Sequence, residues 1–250
     1  MAVTTPPYEL FYWPTIQGRG EFVRLVFEEA GLPYVDVARR PESEGGGIAA
    51  LMKMLEDDAA GIPPFAPPVL RVGTLRIAQT ALISRYVAEQ VGLAPTREED
   101  RLLADQLMLT VMDRVLEAHD AHHPIAGSLY YEDQQAEALL KAPIFVKERL
   151  PKALRYFERV LADNPVGGGQ VLVGNGLSYV DLALFQLVAG LAYAFPRSLA
   201  ALAPQAPRVM ALHEAVAARA LIAVYLASSR RLPFNTQGIF RHYPELDQPG

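Results

Sequence analysis

Ten residues near the N-terminus, FYWPTIQGRG at 11–20, form the first pattern that could do chemistry. An apolar run ends at Tyr12 and the chain's single tryptophan, and a loop with proline and glycine leads to a helical pattern from Glu21. A strand, a glycine-containing loop and a helix start together are typical of a ligand-binding segment. A dinucleotide fingerprint G-x-G-x-x-G from Gly18 would need glycine where Val23 stands, so that function is not predicted.

The segment HDAHH at 119–123 is the second pattern with chemical potential. His119 and His123 lie four residues apart on one helical face, and Asp120 takes the second position of an H-E-x-x-H-like arrangement. A zinc site needs a third ligand, and aspartate is shorter than the glutamate that reaches a zinc-bound water. We therefore predict no metal.

The composition limits the remaining chemistry. The 250 residues include no cysteine, so any thiol chemistry must use a thiol that arrives with the substrate. The 23 Lys and Arg residues are scattered and outnumbered by 28 Asp and Glu, which argues against nucleic acid or an anionic membrane as partner. No secretion signal and no apolar run of about 18 residues is present, so we expect a cytoplasmic location and no membrane insertion.

The elements that position these residues begin with an α/β pattern in the first 92 residues. Alternating apolar residues predict strands, apolar residues at three- and four-residue spacing predict helices, and Gly73 marks a hairpin turn. The predicted elements are strands at 8–13 and 34–38, helices at 21–30, 48–59 and 79–93, and a hairpin over 69–77.

From Arg97 onward the apolar spacing is helical. Pro143 and Pro151 are expected to kink or divide the second of two long helices. A nearly all-apolar helix follows; it opens on a capping box of Ser178 and Asp181 and is expected at the domain centre. The predicted helices cover 97–123, 131–164 and 177–195, a weak strand signal lies at 170–173, and a turn-rich tail begins at residue 230.

The sequence therefore predicts an α/β plus all-α protein. A first domain over 1–92, in the order β-α-β-α-β-β-α, is joined by a linker near 93–97 to an all-helical domain over 98–250. With 51% hydrophobic residues the chain can bury a sizeable core in each domain.

Three separately spaced segments together resemble the cytosolic glutathione transferases, and the resemblance covers nearly the whole chain. They are YELFYWPTIQGRGEFVRLVFEEAG, PPVLRVGTLRIAQTALISRYVAEQVGLAP and GNGLSYVDLALF. The resemblance implies a thioredoxin-like first domain, a helical second domain and a homodimer. It also implies glutathione as cosubstrate, which would supply the thiol that this chain lacks.

The resemblance gives Tyr12 the position of the catalytic tyrosine at the end of the first strand. A thiol pKa of about 8.5 calls for a hydrogen-bond donor that favours the thiolate, and a phenol with a pKa of about 10 donates without losing its proton. The loop between Tyr12 and Arg19 is one residue longer here than in the tyrosine-using classes. Thr15 therefore competes for the donor role, which other classes give to a loop serine or threonine.

Four further residues are implied to bind glutathione. Pro68 matches the family's cis-proline, beside which the backbone pairs with the cysteinyl part of glutathione, but Pro67 has no N–H for that pairing. Gln79 and Thr80 stand at a helix start, where backbone amides, the hydroxyl and the helix dipole would hold the γ-glutamyl carboxylate.

Charged residues complete the implied site. Arg19 corresponds to the loop arginine near the thiol, and Lys53 is a candidate partner for the glycyl carboxylate. Asp113 matches an acidic residue that reaches the γ-glutamyl ammonium in the neighbouring subunit. His119 and His123 lie where the family lines its pocket for the electrophile.

We therefore expect a glutathione transferase that conjugates the thiolate to a small hydrophobic electrophile. One alternative is a glutathione-dependent peroxidase or disulfide reductase, favoured if Thr15 faces the sulfur. Another is a glutathione-binding scaffold without catalysis, suggested by the missing amide at Pro67.

Overall fold

A computed structural model describes residues 7–57 and 62–248. The first six residues, where a secretion signal was sought, and the predicted helix end at Asp58 and Ala59 lie outside the described residues. The strands are β1 Tyr8–Phe11, β2 Tyr34–Asp36, β3 Val69–Val72 and β4 Leu75–Ala78. The helices are α1 Gly20–Ala30, α2 Gly47–Glu56, α3 Thr80–Val91, α4 Glu98–Asp120, α5 Gln135–Ile144, α6 Leu150–Asp163, α7 Tyr179–Ala194, α8 Pro196–Leu202, α9 Pro207–Ala217 and α10 Ala220–Leu226.

The four strands form one mixed sheet in the order β2-β1-β3-β4. β2 runs parallel to β1, as expected for a crossover through α1, while β3 and β4 form the predicted antiparallel hairpin. Its turn contains Gly73 with φ of 59°, a left-handed conformation that glycine adopts without a steric penalty. The arrangement confirms the predicted thioredoxin-like sheet followed by helices.

The strand register brings three loop residues to one edge of this sheet. Val69 pairs with Phe11 on one side and with Ala78 on the other. The next residues beyond these paired positions are Tyr12, Pro68 and Gln79, so they meet at the same end of three adjacent strands. The peptide bond between Pro67 and Pro68 is cis, as predicted.

The helical part is built around α7, whose apolar side chains are buried on nearly all sides. Its N-terminus has the predicted capping box: the backbone N–H of Ser178 donates to Asp181 Oδ2 at 2.8 Å. The other oxygen of this fully buried carboxylate accepts from the Leu172 N–H at 2.7 Å. That bond occupies a backbone donor in the weak strand signal at 170–173, and no strand forms there.

The second long helix is divided, as its prolines predict. Pro143 lies inside α5, a π-helical segment covers Phe145–Arg149, and Pro151 stands in the first turn of α6. Because proline lacks an N–H, the regular hydrogen-bond ladder is interrupted near Pro143 and a wider turn follows.

α3 ends at Val91 and α4 begins at Glu98, so the predicted linker near 93–97 lies between them. The division of the chain into two domains at that linker stays a prediction. Across the described ranges, no single helix is both long and apolar enough to cross a membrane, whereas α9 and α10 pass that test only as a pair bent by 80°.

Candidate functional site

The ring of Tyr12 lies directly beneath the glycine-containing loop. A Cβ atom on Gly18 would come within 2.1 Å of the Tyr12 hydroxyl, and one on Gly20 within 2.6 Å of its ring. Gly18 also has φ of 46°, in the left-handed region. The two glycines of the opening motif therefore make room for the aromatic ring.

The Tyr12 hydroxyl accepts a hydrogen bond of 2.7 Å from the backbone N–H of Arg19, just before α1. Within the described residues no group accepts the hydroxyl's own hydrogen, and the Tyr12 side chain is only 4% exposed. Burial raises the pKa of Tyr12 above the ordinary tyrosine value, and the Arg19 N–H and the nearby Arg24 charge oppose this effect. The hydroxyl therefore stays protonated near neutral pH and can act as a donor.

The loop between Tyr12 and Arg19 keeps Tyr12 at the helix start. Only 4% of the Tyr12 side chain is exposed, whereas Thr15 lies exposed at the loop surface. The Thr15 carbonyl accepts a hydrogen bond of 2.9 Å from the Asn235 side chain in the C-terminal tail. Thr15 therefore lies on the outer side of the loop, next to the tail, and the added residue stays a prediction.

A cavity of about 410 Å³ opens beside this loop, between the start of α3 and the middle of α4. Three of the predicted residues, Arg19, Gln79 and Thr80, lie in its wall. Thr80 is buried, and its hydroxyl donates to the Arg19 carbonyl at 3.5 Å, which joins the helix start to the loop. The wall consists of Arg19, Gln79, Thr80, Ala81, Leu82, Arg85, Asp105, Leu109 and Met112.

The backbone of Gln79 is strained. Its φ of 74° is the only positive value at a non-glycine position in the described chain. Such conformations cost about 1–3 kcal/mol and occur preferentially at functional sites. The strain places Gln79 between β4 and α3, where its carbonyl begins the helix by accepting from the Ile83 N–H at 2.9 Å.

The other predicted binding residues do not line this cavity. Pro67 is half-buried and Pro68 buried at the sheet edge beside Tyr12. Lys53 is exposed on α2, and Asp113 is exposed on α4. Their predicted contacts with glutathione stay predictions.

The cavity wall also contains two charged residues that the sequence analysis missed. Arg85 donates to Asp105 at 2.8 Å, and the Tyr179 hydroxyl donates to the same carboxylate at 2.6 Å. Asp105 shares one face of α4 with Leu109 and Met112, at helical spacings of four and seven residues. That spacing is the sequence signal that could have identified it.

Next to the loop, the fully buried carboxylate of Glu21 joins distant parts of the chain. It pairs with Arg24 in the next turn of α1 at 3.3 Å. It also accepts from the Tyr225 hydroxyl of α10 at 2.6 Å and from Arg231 of the tail at 2.5 Å. Arg24 pairs in turn with Asp36 at the end of β2, at 2.7 Å. This network fixes the helix start that follows the loop.

The histidines at the end of α4 form a hydrogen-bonded chain with the tail. Arg241 donates to His123 Nε2 at 2.9 Å, the two Nδ1 atoms of His122 and His123 are bonded to each other, and His122 Nε2 contacts the Ile239 carbonyl at 2.8 Å. These partners assign the Nδ1 hydrogen to His123 and the Nε2 hydrogen to His122, so both rings are neutral.

The environment of this chain agrees with neutral rings. Burial, more than the nearby charges, lowers the pKa of His122 to about 2 and that of His123 to about 4. His119 remains partly exposed, beside Asp120 at 3.5 Å. The roles predicted for His119 and His123 at a second-substrate pocket stay predictions. In residues 7–57 and 62–248, no group of three or more His, Asp or Glu side chains is arranged to hold a metal ion.

Comparison with known proteins matches residues 119–229 to the family model described as the glutathione S-transferase C-terminal domain. A glutathione S-transferase of Plasmodium falciparum is 26% identical, with 76% of this chain and 83% of the relative aligned. Glutathione S-transferase 1 of Ascaris suum is 28% identical over 72% of this chain and 77% of the relative. Human glutathione S-transferase A4 is 27% identical over 76% of this chain and 77% of the relative.

Solved structures show the same fold. A prostaglandin synthase D of Nilaparvata lugens superposes with a TM-score of 0.67 at 18% identity, covering 91% of this chain and all of that structure. A Pi-class glutathione S-transferase of Onchocerca volvulus superposes with a TM-score of 0.66 at 22% identity, covering 88% of this chain and 91% of that structure. The likeness therefore includes both the sheet and the helical part.

The buried neutral histidines predict a pH-dependent stability. In the unfolded chain a histidine binds a proton near pH 6.5, but folded His123 does so only near pH 4. Below pH 6.5 the unfolded state therefore binds more protons, and the free energy of unfolding falls as the pH falls. We expect His123→Gln to reduce this slope by about 1 kcal/mol per pH unit between pH 6 and 4.5.

Urea unfolding at a series of pH values measures this slope. Thr236→Ala, at an exposed position of the same tail, is the control and should keep the wild-type slope. Equal slopes for His123→Gln and wild type would contradict the prediction.

Proposed function

We propose that this chain is a member of the cytosolic glutathione S-transferase family and that it transfers the thiolate sulfur of glutathione to a small hydrophobic electrophile. The observation that carries the proposal is the Tyr12 hydroxyl, which accepts the Arg19 N–H and whose own hydrogen has no acceptor among the described residues. A cytoplasmic location and a detoxifying role are proposed with it, on the basis of the family.

The proposed chemistry uses Tyr12 as the donor to sulfur. Its neutral phenol donates to the glutathione thiolate, which lowers the free energy of the thiolate relative to the thiol. Because the Arg19 N–H already bonds the phenol oxygen, it increases the acidity of the O–H group and strengthens that donation. The sulfur then attacks an electrophilic carbon and forms the new carbon–sulfur bond. With an aryl halide the carbon–halogen bond breaks and halide leaves with its electron pair; with an activated alkene the π electrons move to the neighbouring carbon, which takes up a proton from water.

We place the glutathione backbone along the sheet edge where Tyr12, Pro68 and Gln79 meet. The γ-glutamyl carboxylate would lie at the N-terminus of α3, near the Thr80 hydroxyl and the Gln79 backbone. The Pro67 carbonyl can accept the cysteinyl N–H, while the return bond is missing because proline has no N–H.

A homodimer is supported by an apolar stripe on α4. Leu102, Leu109 and Leu116 repeat every seven residues and are each more than half exposed. This spacing suits packing against a second helix, and such a stripe is costly to leave in water. Exposed Asp113 lies four residues beyond Leu109 on the same face. A second copy would therefore cover the leucines and bring Asp113 toward its partner's ligand.

We predict that Tyr12→Phe lowers kcat with an aryl halide by at least about tenfold while the affinity for glutathione changes little, because only the donor to sulfur is lost. Steady-state kinetics and calorimetric titration with glutathione measure the two quantities. Tyr156→Phe, on the surface of α6, is the matched control.

An unchanged kcat in Tyr12→Phe together with a large loss in Thr15→Ala would move the donor role to Thr15. Assays with a hydroperoxide and a disulfide accompany the aryl halide assay. Activity on these alone would favour the peroxidase or reductase, and binding without any turnover would favour the scaffold.

Thr80→Ala should weaken glutathione binding by about tenfold and change kcat little, since it removes one hydrogen bond to a charged group far from the sulfur. Calorimetry gives the dissociation constant. Thr110→Ala, whose hydroxyl donates to the Gln106 carbonyl of its own helix, should bind like wild type. Unaltered affinity in Thr80→Ala would refute the placement of the γ-glutamyl carboxylate.

For the dimer, Leu109→Asp is expected to shift the sedimentation mass toward the monomer, because a carboxylate would be buried in the apolar contact. Leu140→Asp, at a similarly exposed leucine of α5, should leave the dimer intact. A monomeric wild type, or a dimeric Leu109→Asp, would contradict this interface.

A further inference from the structure

The loop between Tyr12 and Arg19 is held from outside by the C-terminal tail. At its outer side, Asn235 Nδ2 donates to the Thr15 carbonyl at 2.9 Å. Nearer the helix, the Gln17 side chain donates to the Leu232 carbonyl and accepts from Gln186 of α7 at 2.8 Å. The tail thus binds the loop at two points between its ends.

The Asn235 amide is itself fixed in direction. Its Oδ1 accepts backbone N–H bonds from Gln237 at 2.9 Å and Gly238 at 3.0 Å. Both acceptor positions of the oxygen are therefore used within the tail turn, and the NH₂ group is directed at the loop. This geometry requires an amide, since a carboxylate would keep the turn but lose the donor.

The tail is rigidly attached to the helical part just beyond this turn. The ring of Phe240 packs so closely on α7 that a Cβ on Gly190 would come within 2.3 Å of it. The Ile239 carbonyl is bonded to His122, and Arg241 to His123. A segment anchored in this way can restrain the loop that it contacts.

We propose that Asn235 and Gln17 are positioning residues for thiol activation. They hold the lengthened loop so that the Arg19 N–H stays on the Tyr12 hydroxyl. The inference rests on the proposed role of Tyr12. An extra loop residue adds backbone freedom, and the two tail contacts reduce that freedom by holding the Thr15 carbonyl and the Gln17 side chain. Without them the Arg19 N–H would leave the phenol oxygen for part of the time, and the donor to sulfur would weaken.

Asn235→Asp tests the outer contact. One aspartate oxygen can still accept from the Gln237 and Gly238 N–H groups. The other oxygen replaces the NH₂ group that faces the Thr15 carbonyl, and two oxygens repel each other there. In the glutathione complex we expect the thiol pKa to rise. The value of kcat/KM at pH 6.5 should fall about fivefold, the effect of losing roughly one hydrogen bond, and the loss should shrink to less than about twofold at pH 9.

The matched control is Thr236→Ala, which changes an exposed neighbour in the same turn and should keep the wild-type pH profile. Asn235→Ser serves as a second variant, because its hydroxyl can still accept in the turn but is too short to reach Thr15. Thermal unfolding of each variant separates a pH-profile shift from loss of fold.

Hydrogen–deuterium exchange of the Arg19 amide provides a readout that needs no activity. Faster exchange in Asn235→Asp and Asn235→Ser than in wild type and Thr236→Ala is the expected result. If wild type lacks transferase activity, the proposed function fails, and this exchange still decides whether the tail restrains the loop. The inference is overturned if the Arg19 amide exchanges at the wild-type rate in both Asn235 variants. It is also overturned if wild type is active and Asn235→Asp keeps the wild-type pH profile.

Discussion

A buried negative charge at the start of the first helix is the constraint on which much of this structure depends. The Glu21 carboxylate is fully buried and has no contact with solvent. Its ionised form therefore needs several hydrogen-bond donors to offset the free energy of desolvation. One of those donors is local, but the others come from α10 and from the tail, about two hundred residues later in the chain. The first helix is therefore completed by residues far away in the sequence, and the thioredoxin-like part and the helical part are joined by electrostatics as well as by apolar packing.

The same region explains why an apparently flexible motif is rigid. Glycine usually adds conformational freedom. Here Gly18 and Gly20 pack so closely against the Tyr12 ring that neither position has space for a Cβ atom. The Tyr12 hydroxyl in turn accepts the N–H of Arg19, the N-cap residue of α1. A loop with two glycines, a buried phenol and a helix N-terminus thus form one unit in which each part restricts the others.

Local patterns predicted most of the fold. The hairpin at Gly73, the capping box at Asp181 and the break at Pro143 each depend on a few neighbouring residues, so the sequence was sufficient for them. The strand signal at 170–173 failed for a related reason: a side chain nine positions away from Leu172 takes its backbone donor. The β-propensity of a segment does not take into account a side chain elsewhere that binds one of its backbone N–H groups.

The site was less predictable because its geometry depends on distant residues. The strand ends that gather Tyr12, Pro68 and Gln79 follow from topology, and the family resemblance was enough to suggest them. The contact of Asn235 with Thr15 joins positions 220 residues apart, and no periodicity or motif links them. The hydrogen bond to His123 Nε2 likewise comes from Arg241, which the sequence assigned only to a turn-rich tail.

The tail also changes how the ends of this polypeptide should be treated in the laboratory. A truncation after Leu226, where α10 ends, would remove no described helix or strand and would therefore look harmless. It would remove the Glu21 partner Arg231, the Thr15 partner Asn235 and the Phe240 ring that packs on Gly190. Such a truncation would act as a triple mutation beside Tyr12, the proposed donor to sulfur, and a bulky fusion placed close behind residue 248 would be attached to the same anchored segment.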